Sequence, residues 1–469
     1  MDPMIADHQK LNFQHTPTMV LPPETLSQIF QEAIKPSVDR ATSSDVNIGM
    51  FNKLKILQVC SRWRQVALSS PSFWVHFSSS FHNLKTMESL AHILGLHLRH
   101  SGSLPLHIVI VRTGVHTPLN YGTDGVFIHE SIDAELVPAL GRVKALRLDH
   151  LSYTGFVGLF QHASHLTGLE SLCIEGLNQP VRLAGCPSLH NLTIVNSSHA
   201  EISVNPHIIH TLNLESVPVD LCVKLLFECP NLESYSMTEP MNPITHEIHS
   251  VCPGHRVMVV LSKMKEFTWT LSGTDWDNLI WGHLDLPAIT DMIWHTDPAG
   301  FDPTQEGGGL ATDRRLLKGF CERLGSLKHL ELDLADLFRW FPERLTIESC
   351  FMAFDSWDKV FDFCRDIEPY LQEDGGLQKP FPKLARFDIT IADGEDDTPG
   401  AVYIVDILES LGNRVRAGLP TSVMFIGLHD IGNIDMGCIN AAIREMLDNG
   451  SLVVKDWNNR FIFDDHFWV

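Results

Sequence analysis

The chain has 469 residues, enough for two or three ordinary domains or for one elongated array. Its 57 acidic against 35 basic side chains leave a net charge of −22, which argues against nucleic-acid backbones and anionic membranes and in favour of basic partners. An apolar content of 44% points to a folded protein, and ten scattered cysteines without a CxxC pair suit free thiols in a reducing compartment.

Residues 1–20 are polar, lack a charged-then-apolar leader, and read as a disordered lead-in. No apolar run approaches the ~20 residues of a spanning helix, so no membrane association and a cytoplasmic or nuclear location are expected. From Leu21, the prolines Pro22 and Pro23 preset helical φ, and Glu24 sits where the helix dipole favours a negative charge. Leu26, Ile29, Phe30 and Ala33 then form one apolar stripe. After a polar insert, Lys35 to Gly49, the same spacing returns at Ile56, Val59, Cys60 and Trp63 and continues to Val66 and Ala67. Ser69, Ser70 and Pro71 stop that helix, and Phe73, Trp74 and Phe77 follow as exposed-looking aromatics. This apolar surface exceeds what two helices bury against each other, so part of it is expected to meet another element or protein.

A third helical face runs through Leu84, Met87, Leu90, Ile93, Leu94 and His97 and closes at His100 to Ser103. Leu104 to Val111 alternates like a strand, and Thr113 to Gly125 reads as a loop. From Val143 a pattern of apolar-x-x-apolar-x-apolar recurs: VKALRL (Val143), LESLCI (Leu169), LHNLTI (Leu189), IHTLNL (Ile209), LESYSM (Leu232), MKEFTW (Met264), ITDMIW (Ile289), LKHLEL (Leu327) and LARFDI (Leu384). The first four spacings are 26, 20, 20 and 23 residues, in the range of leucine-rich repeats, and later ones are stretched by insertions. The fourth and sixth positions should alternate inward along a short strand while the first fills the preceding turn. Stacked units would then share a core, with Val219 to Pro230 long enough for one intervening helix.

Residues flanking the inward ones would line a concave sheet, where eight carboxylates face two arginines. Glu266, Asp291, His295, Glu331, Asp333 and Asp388 are the residues expected to hold a basic protein substrate. His246, His249, Cys252 and His255 have donor types suited to zinc, but their spacing is that of no familiar site, so no metal is expected. Asp393 to Asp397 reads as a solvated acidic turn, and Gly307 to Gly309 as a flexible loop. No nucleotide-binding or hydrolase motif occurs, and no cofactor is expected. The aromatic tail from Asp456 to Val469 suits a cap on the array.

LPPExLxxIF followed by VCxxWRxxALSxPxxW resembles the F-box of filamentous-fungal F-box proteins, and HLRHSGSLPLHIVI extends the likeness to about residue 112. The resemblance implies an all-α F-box over 21–80, a linking helix, strand and loop over 81–142, and an irregular leucine-rich-repeat α/β solenoid over 143–469. It implies docking through Leu21, Pro22, Leu26, Ile29, Phe30, Val59, Cys60, Trp63 and Trp74 onto the Skp-family linker of a cullin–RING ubiquitin ligase. The chain would then be a non-catalytic, substrate-recognising subunit. The alternative is an F-box scaffold acting outside ubiquitination.

Overall fold

All nine recurrences are built alike. In each, the first, fourth and sixth residues, from Val143, Leu146 and Leu148 to Leu384, Phe387 and Ile389, are at most 2% exposed. The fourth and sixth lie on a strand of period two. The first is turned under by a tight bend: Leu169 N–H donates to the Leu166 carbonyl at 3.2 Å, Met264 to Leu261 at 3.2 Å, and Leu384 to Phe381 at 3.0 Å. The residue three places earlier is thereby drawn inside too, and Leu166, Leu261 and Leu324 are fully buried.

The computed structural model describes residues 21–34, 52–81, 84–112, 130–149, 163–176, 180–197, 202–244, 258–272, 275–296, 314–333, 335–354, 356–372, 376–391, 401–419, 421–426 and 440–456. The lead-in, the 35–49 insert, the 113–125 loop, the His246–His255 run, Gly307–Gly309, the acidic turn and residues 457–469 lie outside them. The fold is mixed α/β, with its strands paired mostly in parallel (the short pair Tyr370–Leu371 and Leu377–Gln378 is antiparallel), and the chain divides into two compact units, Met1–Ile209 and His210–Val469.

In the first unit, β1 (His76–Phe81), β2 (Leu106–Arg112), β3 (Val143–Asp149), β4 (Ser171–Glu175) and β5 (Asn191–Val195) pair in that order, all parallel. Ahead of them come α1 (Pro23–Ile34), a helix over residues 52–59 and α2 (Ser61–Ser69); α3 (Leu84–His100) bridges β1 and β2, and α4 (Glu130–Leu136) lies between β2 and β3. Two expectations are corrected here. The stripe from Ile56 to Ala67 is not one helix: Cys60 is extended (φ −158°, ψ 169°) and caps α2, its Sγ accepting the Trp63 N–H at 3.4 Å. The break swings Val59 outward, and Cys60 is half-buried rather than a core thiol. The aromatics Phe73, Trp74 and Phe77 are not exposed either. A 3-10 turn over Pro71–Trp74 tucks Phe73 and Trp74 inside, and Phe77 is buried on β1.

In the second unit, β6 (Thr211–Glu215), β7 (Ser234–Thr238), β8 (Glu266–Leu271), β9 (Asp291–Thr296), β10 (His329–Leu332), β11 (Ser349–Phe354), β12 (Arg386–Ile391), β13 (Thr421–Ile426) and β14 (Leu452–Asp456) pair successively, again all parallel. Parallel neighbours need long crossovers. α5 (Val219–Glu228, the helix expected there), α6 (Asp275–His283), α7 (Arg314–Arg323), α8 (Trp357–Asp366), α9 (Ala401–Arg416) and α10 (Ala441–Asp448) lie within those connections. Aromatics fill this core where leucine would otherwise stand. Trp294 lies 5.0 Å from Trp281 and 5.2 Å from Phe341 between ring centroids, and Phe338 packs 4.5 Å from Phe381. At the ends of β6 and β7, Ser216 (φ 51°) and Glu239 (φ 49°) adopt the same left-handed turn, and their side chains hydrogen-bond at 3.1 Å.

Candidate functional site

Two surfaces carry the residues singled out above. The first is the helical module of the first unit. Leu26, Phe30, Ile34, Ile56, Val66, Ala67, Phe73 and Trp74 form one closed cluster, with Leu21, Leu57 and Trp63 packed against it. Phe30 lies 4.9 Å from Trp63 and 6.1 Å edge-on to Phe73, and Trp74 Nε1 donates to the Ala67 carbonyl at 2.8 Å. The Arg62 guanidinium ties Leu21 to α2 through its carbonyl. Three expected contact residues are therefore interior. Leu26, Phe30 and Trp74 are 0%, 1% and 5% exposed, so in this chain they hold the module together.

What faces outward is a different subset. Pro22 is exposed, Ile29 is 45% and Val59 57% exposed, and Leu54 (42%) and Leu68 (40%) join them although sequence reasoning did not select them. Ile29 and Phe30 are neighbours about 100° apart on α1, and an apolar stripe cannot say which side of it faces in.

Beneath the module sits a group of basic side chains. Lys53 is 4% exposed, donates to the His76 carbonyl, and is lowered by burial to about 7. His97 is 1% exposed, with Nδ1 3.3 Å from the Trp74 carbonyl and its ring edge-on to Trp74 and Phe77, and burial pushes its pKa well below the usual value. Burial, helped by the neighbouring His107 ring at 4.7 Å, brings His76 to about 4. These histidines are held neutral when folded but protonate near 6.5 when unfolded. Their contribution to stability is thus present above about pH 6.5 and is lost as pH falls toward 4. The melting temperature should drop between pH 7.5 and 5, and His97→Gln should shrink that drop in parallel thermal scans.

The second surface is one face of the sheet in the second unit. Strand register puts Thr268, Ile293, Glu331, Phe351, Asp388 and Met424 side by side on neighbouring strands. All six are half-buried, whereas the alternate residues Met292, Leu330, Cys350 and Phe387 are core. One row below, Glu266 pairs with Asp291 and Asp291 with His329. His295 and Asp333 stand one row above, their side chains 2.9 Å apart. All six residues expected to touch a substrate thus share this face, but in different electrostatic states. Asp333 hydrogen-bonds His295 and raises the imidazole pKa. Arg386 grips Asp388 at 2.8 Å, and the Thr290 hydroxyl donates to Asp291 at 2.5 Å. Glu331 makes no hydrogen bond or ion pair among the described residues, and burial lifts its pKa.

Among the described residues no group of three or more His, Cys, Asp and Glu side chains is placed to hold a metal ion. Burial raises the thiols of Cys186 to about 11 and of Cys229 and Cys364 to about 12, so these stay protonated at neutral pH. No described helix is long and apolar enough to cross a membrane.

No protein-family model matches the chain, and no curated protein matches it. Among solved structures it is similar to the crystal structure of a Bacteroides fragilis protein, at 12% identity, with 74% of this chain and 73% of that one covered. The TM-score is 0.27, too distant a likeness to bear on fold or function.

Proposed function

We propose that the chain is the substrate-recognising subunit of a cullin–RING ubiquitin ligase. An F-box over 21–80 would dock onto a Skp-family linker, and a leucine-rich-repeat solenoid would hold the protein target. In this reading the chain does no chemistry. It positions a target lysine near ubiquitin activated elsewhere, so its contribution is proximity. The observation that carries the reading is the module's division of labour. A complete internal core leaves Ile29 and Val59 in water at 45% and 57% exposure, where an isolated module gains nothing from them. The repeated turn-and-strand unit supports the second half.

The test is capture of a purified Skp-family linker by the full chain. Ile29→Arg combined with Val59→Asp should weaken capture by about 100-fold or more, since a charge forced into an apolar contact goes unpaired. The same pair should leave the melting temperature unchanged, because both side chains are exposed. Undiminished capture by that variant, or none by the natural chain, would sink the proposal.

A further inference from the structure

We infer that Glu331, between Ile293 and Phe351 on the sheet face, recognises a lysine or arginine of the target protein that has an apolar residue beside it. This rests on the substrate-receptor reading only in taking the ligand to be a protein. The register places Ile293 and Phe351 on the strands either side of Glu331, each about 4.8 Å away. All three are half-buried, so the carboxylate stands in a partly dehydrated slot with hydrocarbon on both flanks.

Charge complementarity selects the occupant. Asp333 is matched by His295 and Asp388 by Arg386, within the same sheet. Glu331 alone of these three has no hydrogen bond or ion pair among the described residues; the His295 imidazole acts on it electrostatically but is already engaged by Asp333. A half-buried carboxylate without a partner is costly, and a cation brought by a ligand would relieve that cost. Lysine and arginine fit the flanks as well as the charge, because their methylene stems lie along apolar side chains while the head reaches the acid. An acidic segment would be repelled, and an uncharged one would bring Glu331 no counter-charge. The chain's net charge of −22 adds a long-range bias in the same direction.

The experiment is selection of phage-displayed random nonapeptides on the full chain, with no linker or cullin present. The natural chain should enrich peptides carrying Lys or Arg next to an apolar residue. A selected peptide should bind Glu331→Gln about tenfold more weakly or worse, and Glu331→Lys should enrich acidic residues instead. Asp388→Asn, which removes an already matched charge, should leave the preference in place. Matching melting temperatures for the natural chain and Glu331→Gln, an isosteric change at a half-exposed position, show that folding is intact. Ile293→Ser should weaken the apolar preference and keep the basic one. No enrichment by the natural chain, or the same motif from Glu331→Gln, overturns the inference. Because the linker is absent, lost linker capture with retained peptide selection would reject the adaptor reading alone, and the converse would reject this one alone.

Discussion

Arg414→Ala is expected to remove about 3–5 kcal/mol of stability, read as a lower denaturant midpoint. Arg414 is fully buried near the end of α9. Its Nη1 donates to the carbonyls of Ile367 at 2.7 Å and Pro380 at 3.0 Å, and its Nη2 to those of Phe381 at 3.2 Å and Leu384 at 3.1 Å. The guanidinium carbon lies 5.6 Å from the centre of the Phe387 ring. One side chain thus fastens the end of α8, where Ile367 is the C-cap, to the bend that feeds β12. Burial lowers its pKa to about 10, which still leaves it charged at neutral pH. Alanine would strand the carbonyls of Ile367, Pro380 and Leu384 around a cavity, while that of Phe381 keeps the Leu384 N–H, and each loss of a buried donor counts. Arg414→Lys should recover only part of the loss, since a point charge cannot reach both carbonyl pairs as the planar fork does. The device recurs. In α7, Arg323 Nη2 donates to the carbonyls of Trp281 at 2.9 Å and Leu284 at 3.0 Å, at the end of α6. In the first unit, Arg142 reaches the carbonyls of Leu98 and Leu104 at 3.2 Å, at the end of α3.

Periodicity makes the strands legible and says little about these fasteners. An inward strand residue must be apolar every second place, so Leu172 and Ile174 or Met292 and Trp294 announce themselves in the one-dimensional pattern. β11 keeps the rule as Ile347-x-x-Cys350-x-Met352 but escapes the pattern because a cysteine stands at the fourth place, where a larger apolar residue is sought. β1, with three consecutive serines, offers no β-branched signal, and only its pairing with β2 makes it a strand. The helix break at Cys60 hides for a related reason. A cysteine cap is weak and uncommon, so the 3.6-residue spacing reads straight through it. Among the candidate residues, sequence places the six acidic and histidine positions on one face correctly, because strand alternation fixes that. It cannot tell Asp333, satisfied by His295 from 38 residues away, from Glu331, which is not, since that difference depends on which strands become neighbours.

Phe30→Ala should cost about 3–5 kcal/mol, as large-to-small changes at well-packed aromatic sites do. Its ring is 1% exposed and touches Trp63 and Phe73, so it joins α1 to α2 and to the 3-10 turn at once. Little else bridges all three. Trp74 bonds back to α2 through Ala67, and Leu26 and Ile34 flank Phe30 on the same side of α1. A cavity there has no nearby side chain long enough to fill it, and Trp63, already half-exposed, would turn further into water. The expected signature is a red-shifted tryptophan emission together with a lower melting temperature. The neighbouring position supplies the contrast. Ile29→Ala, on the wet side of the same helix, should shift the melting temperature by less than the equivalent of about 0.5 kcal/mol. If the two substitutions cost the same, the helix is turned the other way, Phe30 faces solvent, and the outward set of Pro22, Ile29 and Val59 no longer describes the module.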